Sequence, residues 1–160
     1  MRDTVIQQLE TTMWAVRQNL ADLRHEESLQ LPAGGGSCAN WVLGHLLHTG
    51  DSLLQVLGGE RVTSREAMAP YHRGAGPLTA EDARPLAELL ADLERSHQRI
   101  IARLQEISPE ELAAPSPISP RRDVSETVGS FAVLLAFHQA YHAGQLGILR
   151  RLAGHPGAMG

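Results

Sequence analysis

Four segments of the chain repeat their apolar residues at intervals of three and four, and no segment alternates apolar with polar residues over the length of a strand. That periodicity restricts the chain to helices that bury one stripe each, and an all-α four-helix bundle with longer crossover connections is the expected fold. The first segment, about residues 3–27, puts Leu9, Met13, Val16, Leu20 and Leu23 on one stripe. The turn cluster LPAGGGS follows, with Ser37 as the expected N-cap of a second helix over about 38–57. Residues 58–78 are rich in Gly and Pro and read as a crossover loop.

The third helix ends near Ile107, with Thr79 or Asp82 as its expected cap and Pro85 tolerated in its first turn. Its stripe is Leu86, Leu90, Leu93, His97, Ile100, Leu104 and Ile107. Four prolines in SPEELAAPSPISP then interrupt the chain. Asp123 and Glu126 resemble a capping box for a fourth helix that runs to about Ala153. The tail HPGAMG reads as frayed. No repeat or composition break divides the 160 residues, which read as one domain.

Composition matters here mainly for what it removes. All fourteen basic residues are arginine, which excludes a Schiff-base lysine and a Walker-type phosphate lysine. Cys38 is the only cysteine, so neither an intramolecular disulfide nor a cysteine-rich zinc cluster can form. The net charge of −4 gives no electrostatic reason to bind nucleic acid or anionic lipid. No apolar run has membrane-spanning length. The opening MRDTVIQQLE lacks the apolar segment of a signal peptide, and a cytoplasmic location is expected.

A metal site, if present, must then use His, carboxylates or water. The fourth segment contains FHQAYHAGQLGILRR, with His138 and His142 four apart on the stripe Phe131, Leu135, His138, His142, Gln145, Leu149 and Leu152. Imidazoles so spaced on one helical face can converge on one ion. They can equally be core histidines satisfied by hydrogen bonds. A zincin protease is excluded, because HExxH needs a glutamate where this chain has Gln139.

The second segment adds His45, which shares a small and apolar face with Cys38, Trp41 and Thr49. Three imidazoles buried together without partners are costly, and a divalent metal relieves that cost by taking their lone pairs. His45, His138 and His142 are therefore the candidate ligands. His48 lies about 60° round the helix, at the site's edge or on the surface. His97, on the third helix's stripe, is a core histidine, a fourth ligand or a donor behind the ligands. His72 is placed to line a pocket, whereas His25 and His155 read as surface residues and Cys38, two turns before His45 on the same face, as a small buried residue or a further ligand.

WVLGHLLHTGDSLL and FHQAYHAGQLGILRR resemble the second and fourth helices of the DinB/YfiT-like metal-dependent bundle proteins. The resemblance covers helix order and length over nearly the whole chain. It implies a three-histidine centre, His45, His138 and His142, holding zinc, nickel, iron or manganese with open positions. Activities in that family include transferases and an isomerase that use low-molecular-weight thiols such as bacillithiol, mycothiol or glutathione. Dimers are frequent among its members, so a homodimer is compatible with the resemblance.

On this reading the first expectation is metal-dependent transfer of a small thiol to an electrophile, in detoxification or stress response. Gln145, one turn beyond His142, is placed to hydrogen-bond water or cosubstrate at the metal. Arg150 and Arg151 either bind a cosubstrate carboxylate or stabilise the helix C-terminus. Metal-assisted hydrolysis is the alternative enzyme, although no Asp or Glu is aimed inward to act as base. A non-enzymatic, stress-related metal-binding module is the third reading.

Overall fold

The computed structural model describes residues 1–158. Its helices are α1 (Arg2–Leu20), α2 (His25–Ser28), α3 (Ala39–Val56), α4 (Leu86–Glu106), α5 (Pro109–Ala113) and α6 (Val128–Leu152), and a 3₁₀ turn spans Ala69–Tyr71. Among the described residues there is no β-strand, only one isolated bridge between Pro115 and Thr127. No described helix is long and apolar enough to cross a membrane.

The four long helices close a ring in which α1 packs on α6, α6 on α3, α3 on α4, and α4 on α1. Two apolar clusters fill it. One joins the C-terminal halves of α1 and α6 to the N-terminal halves of α3 and α4, through Val16, Leu43, Leu47, Leu89 and Leu146. The other joins the opposite halves, through Leu9, Leu53, Leu54, Leu104 and Phe131. Each such side chain contributes about 1.5–3 kcal/mol on burial. The pairing of halves means that α1 and α6 run one way while α3 and α4 run the other. Two helices pointing the same way cannot share a tight turn, so the chain between α3 and α4 must travel back along the bundle.

Several boundaries differ from the sequence expectation, each for a local reason. The first helix stops at Leu20 because Ala21 is extended and Asp22 takes φ 62°, and the short α2 restarts at His25. Cys38, rather than Ser37, caps α3, its Sγ accepting from the Trp41 amide at 3.5 Å. Thr79 and Asp82 bond to each other in a turn, so α4 begins only after Pro85. The capping box of α6 is Thr127 with Ser130, not Asp123 with Glu126. Glu126 is instead buried and paired with Arg121 at 2.9 Å.

The tail is held rather than frayed as far as it is described: His155 donates to Glu27 at 3.1 Å, and Arg150 donates to the Pro156 carbonyl at 2.8 Å. Met159 and Gly160 lie outside the described residues.

The crossover between α3 and α4 is fastened at two points. Asp51, fully buried on α3, accepts from the Val62 and Thr63 amides at 3.1 and 3.0 Å and from the Thr63 hydroxyl at 2.7 Å. Further along, Met68 and Tyr71 are fully buried. The Tyr71 hydroxyl donates to Asn40 Oδ1 at 3.0 Å and accepts from the Arg84 amide at 2.8 Å. Gly44 makes this docking possible, since a Cβ there would overlap the Tyr71 ring.

Candidate metal centre

α3 and α6 bring His45, His138 and His142 together, with one ligand-type atom from each lying within 4.8 Å of the others. The ring centroids of His45 lie 5.2 Å from His138 and 5.1 Å from His142, and those of His138 and His142 are 4.4 Å apart. Trp41, one turn before His45 on α3, stacks on its ring at 4.7 Å and 10°. His45 and His142 are buried and His138 is half-buried.

The hydrogen bonds behind the rings fix two tautomers. The Tyr71 carbonyl, 2.9 Å from His45 Nδ1, can only accept, so Nδ1 carries the proton and Nε2 keeps its lone pair. The amide oxygen of Gln145 stands 2.6 Å from His142 Nδ1 and has the same effect. Gln145 thus holds a ring of the cluster from behind.

His142 Nε2 lies 3.1 Å from His138 Nε2, while His138 Nδ1 is buried without a partner. A proton on His138 Nε2 would bridge the two rings but strand a lone pair at Nδ1. A divalent cation accepts the Nε2 lone pairs instead and leaves Nδ1 a proton, and two nitrogens bound tetrahedrally to zinc stand about 3.3 Å apart. Burial depresses all three pKa values, that of His138 to about 4 with further repulsion from His142 and His45. The imidazoles are neutral at pH 7, as ligands must be. The donor set fits a divalent metal.

His45 and His138 form part of the wall of a pocket of about 620 Å³. Phe131, Leu134, Phe137 and Tyr141 give it an apolar side, and His48, His72, Arg73 and Arg121 a polar one in which the two arginines carry the charge. Among the described residues no carboxylate lines it. His48 is half-buried outside the trio, its ring edge-on to His72 at 5.4 Å, and burial and then Arg61 take its pKa to about 4. Neither arginine of the fourth helix's end is among the lining residues. Arg150 is buried and donates to the carbonyls of Ala21 and Pro156, so it joins the chain's end to α1's. The basic groups that do reach the pocket, Arg73 and Arg121, come from loops where sequence periodicity gives no signal.

His97 stands apart from the cluster, buried on α4 with its pKa taken to about 4 by burial first and then by the Arg17 charge. In the unfolded chain it returns to its ordinary 6.5. The unfolded state therefore binds the extra proton between these values, so stability is complete above pH 6.5 and is lost as the pH falls toward 4. His97 alone is expected to contribute up to about 3 kcal/mol of that loss. Urea midpoints across this range should slope less steeply in His97→Leu, and parallel slopes would remove the assignment.

The fold and the cluster define a helical-bundle protein with three convergent imidazoles, two of them in a pocket wall. The family model for the DinB superfamily matches residues 8–146, and the chain belongs to that superfamily. Among solved structures, a conserved protein from Enterococcus faecalis is similar in fold, with a TM-score of 0.75 and 17% identity over 96% of each chain. A comparison with curated proteins gave no match. Superfamily membership and the histidine cluster are together compatible with metal binding.

Proposed function

We propose that the chain is a divalent-metal protein that transfers a low-molecular-weight thiol to an electrophilic small molecule. His45, His138 and His142 are the ligands in this reading. The observation that carries it is the convergence of three neutral imidazoles, two of which, His45 and His138, line a pocket large enough for two small reactants. When bound, a divalent cation with three neutral ligands lowers the pKa of a coordinated thiol and supplies an open Lewis-acid position.

The protein's own contribution is orientation. The Tyr71 carbonyl and Gln145 fix two rings, the apolar wall receives the electrophile, and Arg73 and Arg121 suit an anionic group such as a carboxylate on the thiol. The sulfur attacks the electrophilic carbon, the leaving group departs with its electron pair, and the thiol proton passes to solvent. Hydrolysis fits less well, because water needs a general base and the described residues of the pocket include no carboxylate. The metal, whether zinc, nickel, iron or manganese, is the experiment's first unknown. A cytoplasmic role in detoxification or stress response follows from this chemistry as part of the proposal.

Calorimetric titration of metal-free protein with each cation should give one site per chain, abolished in His138→Ala. Loaded protein should then conjugate glutathione or cysteine to a chlorodinitrobenzene probe, with no activity in the same variant. Binding without conjugation for any thiol would leave a metal-binding module. Absence of binding for all four cations would end both readings.

A further inference from the structure

His48 stands one turn after His45 on α3, about 4.5 Å further along the axis and about 60° round it, and its ring borders the same pocket. Its Nδ1 is buried and has no hydrogen-bond partner among the described residues. Nε2 is not buried and meets no protein partner among them either, so it is the nitrogen that faces the open space of the pocket.

The tautomer follows from what lies behind the ring. Arg61 reaches back from the crossover to α3, bonding Gln55 at 3.4 Å and standing 3.8 Å from Asp51. Both partners follow His48 along the helix, so the guanidinium sits on the side away from His45. Of the charges that act on the ring, that of Arg61 is the strongest. A proton on Nδ1 would be buried, unbonded and repelled. The lone pair therefore belongs on Nδ1, and Nε2 carries an N–H into the pocket. Burial and the same charge keep the ring neutral at pH 7.

The other polar groups of α3 at the pocket are engaged. The Thr49 hydroxyl donates to the His45 and Leu46 carbonyls, that of Ser52 to the His48 carbonyl, and His45 Nδ1 to the Tyr71 carbonyl. His48 is the uncharged donor that α3 leaves free.

We propose that His48 Nε2–H binds the electrophile through an oxygen conjugated to the carbon that sulfur attacks, an inference that rests on the transfer reading. The class selected is an apolar ring activated by a nitro or carbonyl oxygen, with Phe131, Leu134, Phe137 and Tyr141 to receive the ring. As the C–S bond forms, an electron pair moves onto that oxygen and the donor meets growing negative charge. The pair returns as the bond to the leaving group breaks, and in the chlorodinitrobenzene probe chloride departs with it. His48 keeps its proton throughout, and the thiol proton has gone to solvent. A neutral imidazole suits this role because it is too weak an acid to surrender that proton.

In metal-free protein, long-range proton–nitrogen spectra should show His48 with a protonated Nε2 and a bare Nδ1. S-(2,4-dinitrophenyl)cysteine, the product of the probe with cysteine, should bind that protein about tenfold more weakly in His48→Phe. With zinc loaded, the ratio of conjugation rates for chlorodinitrobenzene and benzyl chloride, which has no oxygen, should fall about 100-fold in His48→Phe. His48→Gln, whose amide donates, should recover part of it. Because Nδ1 has no partner to lose, His48→Phe should melt no earlier than the wild type, whereas a purely structural imidazole would lower Tm on removal.

A protonated Nδ1 overturns the assignment, as does product binding that is absent from the wild type or equal in His48→Phe. An unchanged ratio, with both electrophiles conjugated, overturns it while the transfer reading stands. A wild type that conjugates neither ends the transfer reading, and the spectra and product binding then decide the role of His48 by themselves.

Discussion

A Gly44→Ala variant is expected to lose about 3 kcal/mol of stability, the upper end of the usual cost of overpacking, and to bind a divalent cation at least about tenfold more weakly. The added methyl overlaps the Tyr71 ring. That ring is fully buried and cannot swing aside without breaking the bonds of its hydroxyl to Asn40 and the Arg84 amide. When Tyr71 yields, its carbonyl leaves His45 Nδ1, which it meets at 2.9 Å. The imidazole then loses both its fixed tautomer and its aim. Urea denaturation reads the first effect and competition titration with a zinc chelator reads the second. Tyr71→Phe, which keeps ring and carbonyl, should cost less stability and leave the affinity nearly intact. A Gly44→Ala protein with an unchanged midpoint would show that the backbone beside Tyr71 is softer than its packing implies.

The four long helices were legible because burial on one side imposes a period that survives in the sequence, and the same stripes brought His45, His138 and His142 onto inward faces. Leu152 shows where that reasoning drifts. Phe131, His138, Gln145 and Leu152 are spaced by sevens, and a straight α-helix rotates about 20° per seven residues relative to such a repeat. Over three repeats the direction moves by about 60°, and Leu152 emerges 58% exposed. Gln139, useful in sequence only for excluding a protease, is 5% exposed in the core. Caps were ambiguous because Asp123, Ser125 and Thr127 are all competent to start α6. The burial of Glu126 against Arg121 decides among them, and that pairing is a tertiary event. The Tyr71 carbonyl was invisible for a deeper reason: every residue has a carbonyl, and only the closed crossover sets this one behind His45.

Asp51→Ala is expected to cost about 3–5 kcal/mol, the range for removing one partner from a buried charged network. Its carboxylate satisfies the amides of Val62 and Thr63 and the Thr63 hydroxyl, and it lies 3.8 Å from the Arg61 guanidinium, whose side chain is only 9% exposed. Truncation leaves the two amides and the hydroxyl without an acceptor where water has little access, and strips Arg61 of its counter-charge while it keeps the Thr63 carbonyl and Gln55. Hydrogen exchange should show the Val62 and Thr63 amides losing protection before any amide of α3, and a stability loss under about 1 kcal/mol would place those groups in solvent instead.

The contrast with Gly44→Ala separates the two fastenings of the crossover. Asp51 holds the crossover loop soon after it leaves α3, whereas Tyr71 holds the part that carries His45's acceptor, together with His72 and Arg73 at the pocket. Asp51→Ala should therefore be the less stable protein and yet the better metal binder of the two. If both variants lose affinity in proportion to stability, the crossover acts as one unit, and the Tyr71 carbonyl orients His45 only as far as the whole loop is folded.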